Sequence, residues 1–295
     1  MKVTGFTFIR NAIICDYPIV ETIKSLLPIC DEVVVAVGKS DDNTLELIKS
    51  IHPQKVKVVE TVWDNNLREG GRVLAVETDK AFHAISSDTD WCFYLQGDEV
   101  FPEYYLENVR SAMLKYKDDK EVDGLLFNYF HFYGSYNYVA DSLNWHKKET
   151  RVIRKQKDIF SYGDAHGFRK YTAANKVEKL SVKPVDAFIH HYGWVKNPQA
   201  QQRKQETFHQ LWHTDEWVEK NVIKADEYDY GNIDSLKEFD GIHPQVMKER
   251  IERVNWKFEF DTSKSKMKLK YRVRRWIEKV FGISIGEYRN YKLIK

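Results

Sequence analysis

Four short apolar runs, at residues 3–9, 32–37, 56–61 and 91–95, alternate with segments whose apolar residues recur at helical spacing. A chain patterned this way buries its strands most readily as a parallel sheet with helices on its faces. The intervening helices are expected at 19–27, after Pro18, at 44–51, after the cap-like Asp42 and Asn43, and at 71–85. The last places Leu74, Ala81 and Ile85 near one face and leaves Glu77 and Lys80 to water. A further helix follows Pro102 over 103–116, and the aromatic run 124–133 reads as a strand. Beyond it the alternation stops. Residues 136–192 are irregular and rich in aromatics, His and Arg, as functional loops are. After Pro198 the pattern turns helical and hydrophilic. At 295 residues, 42% of them hydrophobic, the chain suffices for one large α/β domain, alone or with a helical appendage.

Several function classes are excluded by what is missing. Lys and Arg number 46 against 44 Asp and Glu, a near balance that argues against a nucleic-acid partner. The N-terminal strand is broken by Thr4, Thr7, Arg10 and Asn11, too polar for a signal peptide, and no run is long and apolar enough to span a bilayer. The cytoplasm is the expected compartment. Cys15, Cys30 and Cys92 have no metal-ligand or disulfide spacing and are expected to be buried thiols. Residues 9–17 contain no glycine, so the dinucleotide fingerprint of a nicotinamide dehydrogenase is missing, as is the glycine-rich loop of a nucleotidyltransferase. The phosphate loop of P-loop enzymes does not occur either.

The window DWCFYLQGDEV runs an apolar strand directly into Gln96, Gly97, Asp98 and Glu99. Acidic groups at the carboxyl end of a parallel strand lie where such sheets bind ligands. A divalent cation held there by a carboxylate bridges the hard oxygens of a nucleotide diphosphate, and Gly97 would let the backbone come close. The plainer alternative is a cap for the helix after Pro102.

Taken together, GFTFIRNA, DEVVVAVGKSDDNT, ETVWD, GGRVLAVETDKAF and DWCFYLQGDEV resemble family 2 of the inverting glycosyltransferases over roughly the first 130 residues. The resemblance implies a GT-A fold, a Rossmann-like, mostly parallel mixed sheet flanked by helices. It also implies a UDP- or GDP-sugar donor and a Mn²⁺ or Mg²⁺ cofactor. A catalytic domain over 1–197 is expected, its donor half at 1–100 and its acceptor half at 101–197, followed by a helical extension over 198–295. Asp98 matches the metal-binding last Asp of the family's Asp-x-Asp motif, whereas Gln96 replaces the first, keeping hydrogen-bonding capacity without charge. Phe8, Arg10 and Asn11 close the first strand, where the family contacts base and ribose. In GKSDDNT, Asp42 reads as a turn-former and Asp41 stays open as a donor contact. Arg68 and Arg72 are candidates for the diphosphate, and Arg72 is preferred. His190 or His191 would complete the metal shell; only one of two neighbours on a strand can face it.

Transfer with inversion needs a base for the acceptor hydroxyl. Asp164, flanked by Gly163 and Gly167 with His166 nearby, is preferred over Asp141 and Glu149. Tyr136, Tyr138 and Trp145 are candidates for stacking on an acceptor glycan. The basic segment 264–275, with Trp276 and Phe281 following, reads either as a solvated helix face or as a contact with anionic lipid, as a lipid-linked acceptor would require. A rival of another class is a non-catalytic sugar-nucleotide or glycan binder on the same fold.

Overall fold

In the computed structural model, residues 1–222, 224–263, 266–267, 269–281 and 289–294 are described. Strands β1 (Val3–Ile9), β2 (Glu32–Gly38), β3 (Val56–Thr61) and β4 (Trp91–Tyr94) alternate with helices α1 (Ile19–Leu26), α2 (Thr44–Ile51) and α3 (Arg72–His83). They pair in parallel in the order β4-β1-β2-β3. The period of two decides which side chain goes to which face. Val33, Val35 and Val37 meet Ile19, Ile23 and Leu26 of α1 on one side. Val34 and Ala36 meet Val73, Leu74 and Phe82 of α3 on the other. Every residue of β1 and β2 is buried, which is why these strands read as continuous apolar runs.

The second half widens the sheet. It contains β5 (Glu99–Val100), α4 (Leu106–Lys115), β6 (Gly124–Tyr133), β7 (Ser135–Ala140) and β8 (Lys148–Arg154). After β9 (Ile159–Tyr162), β10 (Gly167–Tyr171) and β11 (Val177–Lys179) comes the long β12 (Ser181–Trp194). Antiparallel β8 joins β4 to β6, and β12 runs parallel to β6. Among the described residues the result is a mixed sheet of eleven strands flanked by helices, the α/β class expected, with β9, β10 and β11 as a separate small sheet.

The chain after residue 197 differs from the expected helical extension. It supplies α5 (Pro198–His209), α6 (Asp215–Asn221), α7 (Lys248–Glu252) and α8 (Leu269–Phe281), but also β13 (Leu236–Glu238) and β14 (Lys292–Leu293). These two strands pair with β7 and β12 of the main sheet, so this part is woven into it. The three cysteines are buried thiols, and burial pushes Cys92 up to about 12. Residues 269–275 of the basic segment lie in α8, whose Leu269, Val273, Trp276, Val280 and Phe281 are exposed. Lys264 and Lys268 lie outside the described residues. No described helix is long and apolar enough to cross a membrane.

Candidate active site

A cavity of about 680 Å³ opens at the carboxyl ends of β1, β2 and β4. Its wall includes Phe8, Arg10, Asn11, Asp41, Gln96, Gly97, Asp98, Asp164 and His191, nine of the positions singled out in the sequence. The loops after β1 and β2 are tied to each other. Asn11, held at a φ of +53°, donates its amide to Asp41 (3.1 Å) and accepts from the Asp41 backbone N–H (2.8 Å). Asp42 serves the backbone instead, accepting from Ile13, Ile14 and Thr44, the turn role expected of it. At this end Trp63 packs 5.9 Å from Phe8, with the Arg10 guanidinium 5.7 Å from its ring. The buried Nε of Arg10 and Nε1 of Trp63 have no hydrogen-bond partner among the described residues. Gly38 is what admits the indole, since a Cβ there would lie 2.3 Å from Trp63 Nε1.

At the other end stands Asp98, 8% exposed. Lys204 of α5 donates to its Oδ2 (3.1 Å) and to the carbonyl of Gly193 (2.9 Å). Burial alone would raise this carboxyl, but the nearby ammonium of Lys204, followed by the imidazole of His191 and then by Lys196, outweighs it and holds the group well below the usual carboxylate range. Lys196, fully buried, is itself pulled down to about 7 by desolvation and by Lys204. On the remaining side Oδ1 faces His191 Nε2 across 3.7 Å, too far for a hydrogen bond. A Cβ at Gly193 would sit 2.6 Å from both Asp98 Oδ2 and His191 Nε2, so the absence of a side chain keeps that space clear.

His191 is oriented from behind. Its Nδ1 lies 3.0 Å from Nδ1 of His131, its cross-strand neighbour on β6, and His131 Nε2 lies 2.7 Å from the carbonyl of His146. Burial drives the His131 imidazole down to about 3, so the ring is neutral.

The Asp98–His191 pair fits a divalent cation. It offers one hard oxygen and one imidazole nitrogen across a gap that no side chain fills. Among the described residues no cluster of three or more His, Cys, Asp or Glu could hold a metal; a cation held by this pair alone would need most of its ligands from a bound molecule.

Asp164 reaches the same cavity on a tight loop in which Gly163 and Ala165 have φ of +64° and +67°. Its carboxylate binds His166 Nδ1, and that bond raises the imidazole above its ordinary value. Gly71 packs against the loop, since a Cβ there would lie 3.0 Å from Asp164 Cβ. The Gln96 amide donates to the Ala165 carbonyl (3.2 Å). A carboxylate of the same reach at position 96 would set oxygen against oxygen.

Other candidates fall elsewhere. Arg72 is exposed and does not line the cavity; Arg68 does, anchored to Asp215 (2.6 Å). His190 is fully buried on the opposite face, between the hydroxyls of Tyr104 (3.3 Å) and Tyr192 (3.1 Å), so strand alternation turns it away from Asp98. Glu99 makes a bidentate pair with buried Arg151 (2.8 Å each) and organises the strand end rather than facing the cavity. Asp141 and Trp145 line a second cavity of about 320 Å³. Glu149, bonded by Asn290 (2.7 Å), is pushed up to about 7 by burial. Tyr136 is buried against Tyr192, and Tyr138 packs on Phe258, which takes both out of an acceptor surface. Trp63, Gly193, His131 and Lys204 were not singled out in the sequence. Of these only Trp63 had a local signal, in the strand-end window ETVWD.

No family description matches the chain, and no curated protein does. Among solved structures it is similar to S. aureus TarS, at a TM-score of 0.40 and 15% identity, over 77% of this chain and 41% of that one. It is also similar to S. aureus TarS 1-349 in complex with UDP, at 0.42 and 15%, over 77% and 68%. Glucosyl-3-phosphoglycerate synthase from Mycobacterium tuberculosis, solved with Mn²⁺, UDP and phosphoglyceric acid, matches at 0.29 and 18%, over 44% and 43%. The chain thus spans less than half the length of TarS.

Proposed function

We propose that the chain is a glycosyltransferase of GT-A type that moves a sugar from a nucleotide-diphosphate donor to an acceptor hydroxyl with inversion. The observation that carries this is the Asp98–His191 pair at the carboxyl edge of the sheet, beside space that Gly193 leaves clear, in a cavity that also contains Asp164. Phe8, Trp63, Arg10, Asn11 and Asp41 form the end suited to base and ribose, with flat rings for stacking and donors and acceptors for hydroxyls. A divalent cation, Mn²⁺ or Mg²⁺, held by Asp98 and His191 would stabilise the charge of the departing diphosphate. Imidazole in the pair favours Mn²⁺. Lys204 steadies the carboxylate through its other oxygen, and Arg68 adds positive charge on the cavity wall. Asp164 takes the proton of the acceptor hydroxyl as that oxygen attacks the anomeric carbon; the carbon–oxygen bond to the diphosphate breaks, and its electron pair leaves with the nucleotide. His166 and Gln96 hold the base loop in place.

The acceptor is a glycan or a lipid-linked saccharide, the product of which belongs to polysaccharide or glycolipid synthesis. Exposed Trp276 and Phe281 on basic α8 favour work at the cytoplasmic face of a membrane. The test is a thermal-shift panel of UDP- and GDP-sugars with and without Mn²⁺, followed by assay of sugar release to water. A donor that raises the melting temperature in a Mn²⁺-dependent way and is slowly hydrolysed supports a catalyst. Stabilisation without any hydrolysis identifies a non-catalytic sugar-nucleotide binder, and no stabilisation by any donor rejects the proposal.

A further inference from the structure

The two ring nitrogens of His191 face different partners, and the hydrogens between them can be assigned by elimination. His131 is buried and bonds a carbonyl and an imidazole but no carboxylate, as a neutral ring does, and since a carbonyl oxygen only accepts, its Nε2, 2.7 Å from the His146 carbonyl, carries the hydrogen. Its Nδ1 is then a lone pair. His191 Nδ1, 3.0 Å away, must be the donor. A neutral His191 is therefore bare at Nε2, the atom that looks across 3.7 Å to Asp98 Oδ1. Left alone, His191 would gain by placing its hydrogen on Nε2 and closing on the carboxylate.

We propose that His131 is a positioning residue that holds His191 in the Nδ1–H tautomer, so that Nε2 presents a lone pair, rather than a hydrogen, to the space beside Asp98. His131 is suited to this because it cannot turn. Its ring lies in a nest of Tyr129 (5.3 Å between centroids), Trp145 (5.1 Å) and His146 (4.3 Å), and it sits directly across from His191 in the parallel β6–β12 register. Tyr129 is fixed in turn by its hydroxyl bond to Glu99 (2.8 Å). The device sets which nitrogen carries a hydrogen already present; no proton is gained or lost. For the purpose of the lone pair the inference rests on the cation reading above. Groups placed behind a metal-bound imidazole commonly fix its tautomer in this way, and their removal weakens metal affinity about 10- to 100-fold.

The experiment is long-range ¹H–¹⁵N correlation NMR of the metal-free protein, with His191 assigned through a His191→Gln spectrum. Wild type is expected to show the Nδ1–H tautomer. His131→Phe, which keeps a ring in the nest but removes the acceptor, should move His191 toward Nε2–H, and His131→Gln should restore part of the original state. Titration with Mn²⁺ in the presence of UDP, read by electron paramagnetic resonance, should then show affinity falling about 10- to 100-fold in His131→Phe. A wild-type His191 protonated at Nε2, or a folded His131→Phe with unchanged tautomer, overturns the inference. If that variant does not fold, the wild-type spectrum decides alone. Wild type with the expected tautomer but no Mn²⁺ binding supports the positioning role and overturns only the cation reading.

Discussion

Gly193→Ala replaces one hydrogen by a methyl group, and the structure says where the carbon goes. It would lie 2.6 Å from Asp98 Oδ2 and 2.6 Å from His191 Nε2. Ordinary contact requires roughly 3.4 Å or more, so each group must retreat by about 0.8 Å. Neither is free to swing: Oδ2 is held by Lys204, and His191 by its bond to His131. Position 193 has no left-handed φ, so the backbone accepts alanine and the effect is steric. Overpacking of this kind costs about 1–3 kcal/mol of stability, a melting shift of a few degrees. Misplacing reacting groups by about 1 Å costs on the order of 10²-fold in rate. The variant should therefore fold and melt a little early, yet lose about 100-fold in kcat/KM for sugar-nucleotide turnover and need more Mn²⁺ for half-maximal rate. A discontinuous assay of released nucleoside diphosphate across a Mn²⁺ series reads both. Wild-type turnover and metal requirement in a folded Gly193→Ala protein would refute the idea that the space beside Asp98 is kept clear for a ligand.

Asp98→Asn should abolish turnover and destabilise the fold by up to about 3–5 kcal/mol, because Lys204 then stays buried without its counter-charge; Asp98→Asn/Lys204→Met should regain stability in urea melts but not activity. Asp164→Asn should bind donor normally by calorimetry while transfer falls by about 10²- to 10⁴-fold. Unchanged transfer would discard Asp164 as the base. The His166 imidazole is raised above its unfolded value by Asp164, so the stability from this pair is fully present below about pH 6.5 and lost as pH climbs through the raised value. The melting gap between wild type and His166→Gln should accordingly be wide at pH 6 and narrow at pH 9. Gln96→Glu should set an oxygen against the Ala165 carbonyl and slow transfer with little change in donor affinity; equal transfer would show that the amide does not hold the loop. Trp276→Ala should reduce sedimentation with anionic phosphatidylglycerol vesicles, and wild type that ignores such vesicles would discard the membrane contact.

The sequence alone determined the parallel half of the sheet, because there each strand and helix is specified by its own periodicity. Strands β1 and β3 and helix α2 begin and end where their patterns do, and β6 spans the aromatic run. Asp98 was legible for the same reason: an acidic residue just past a buried strand lies at the sheet's ligand-binding edge whatever follows. What lies across from it was not legible. Lys204 comes 106 residues later from a helix whose sequence says only that it is hydrophilic, and it reaches Asp98 because α5 folds back over the cavity. The choice between His190 and His191 needed the phase of β12 against the sheet, which alternation leaves open until one neighbour is placed. Gln96 looked like an uncharged contact to the donor, and only the loop that brings the Ala165 carbonyl to it gives the amide a partner within the chain. Local pattern therefore fixed the strands and the edge at which the cavity opens. The side chains that build the cavity meet across long stretches of chain, and tertiary packing decided which of them face one another.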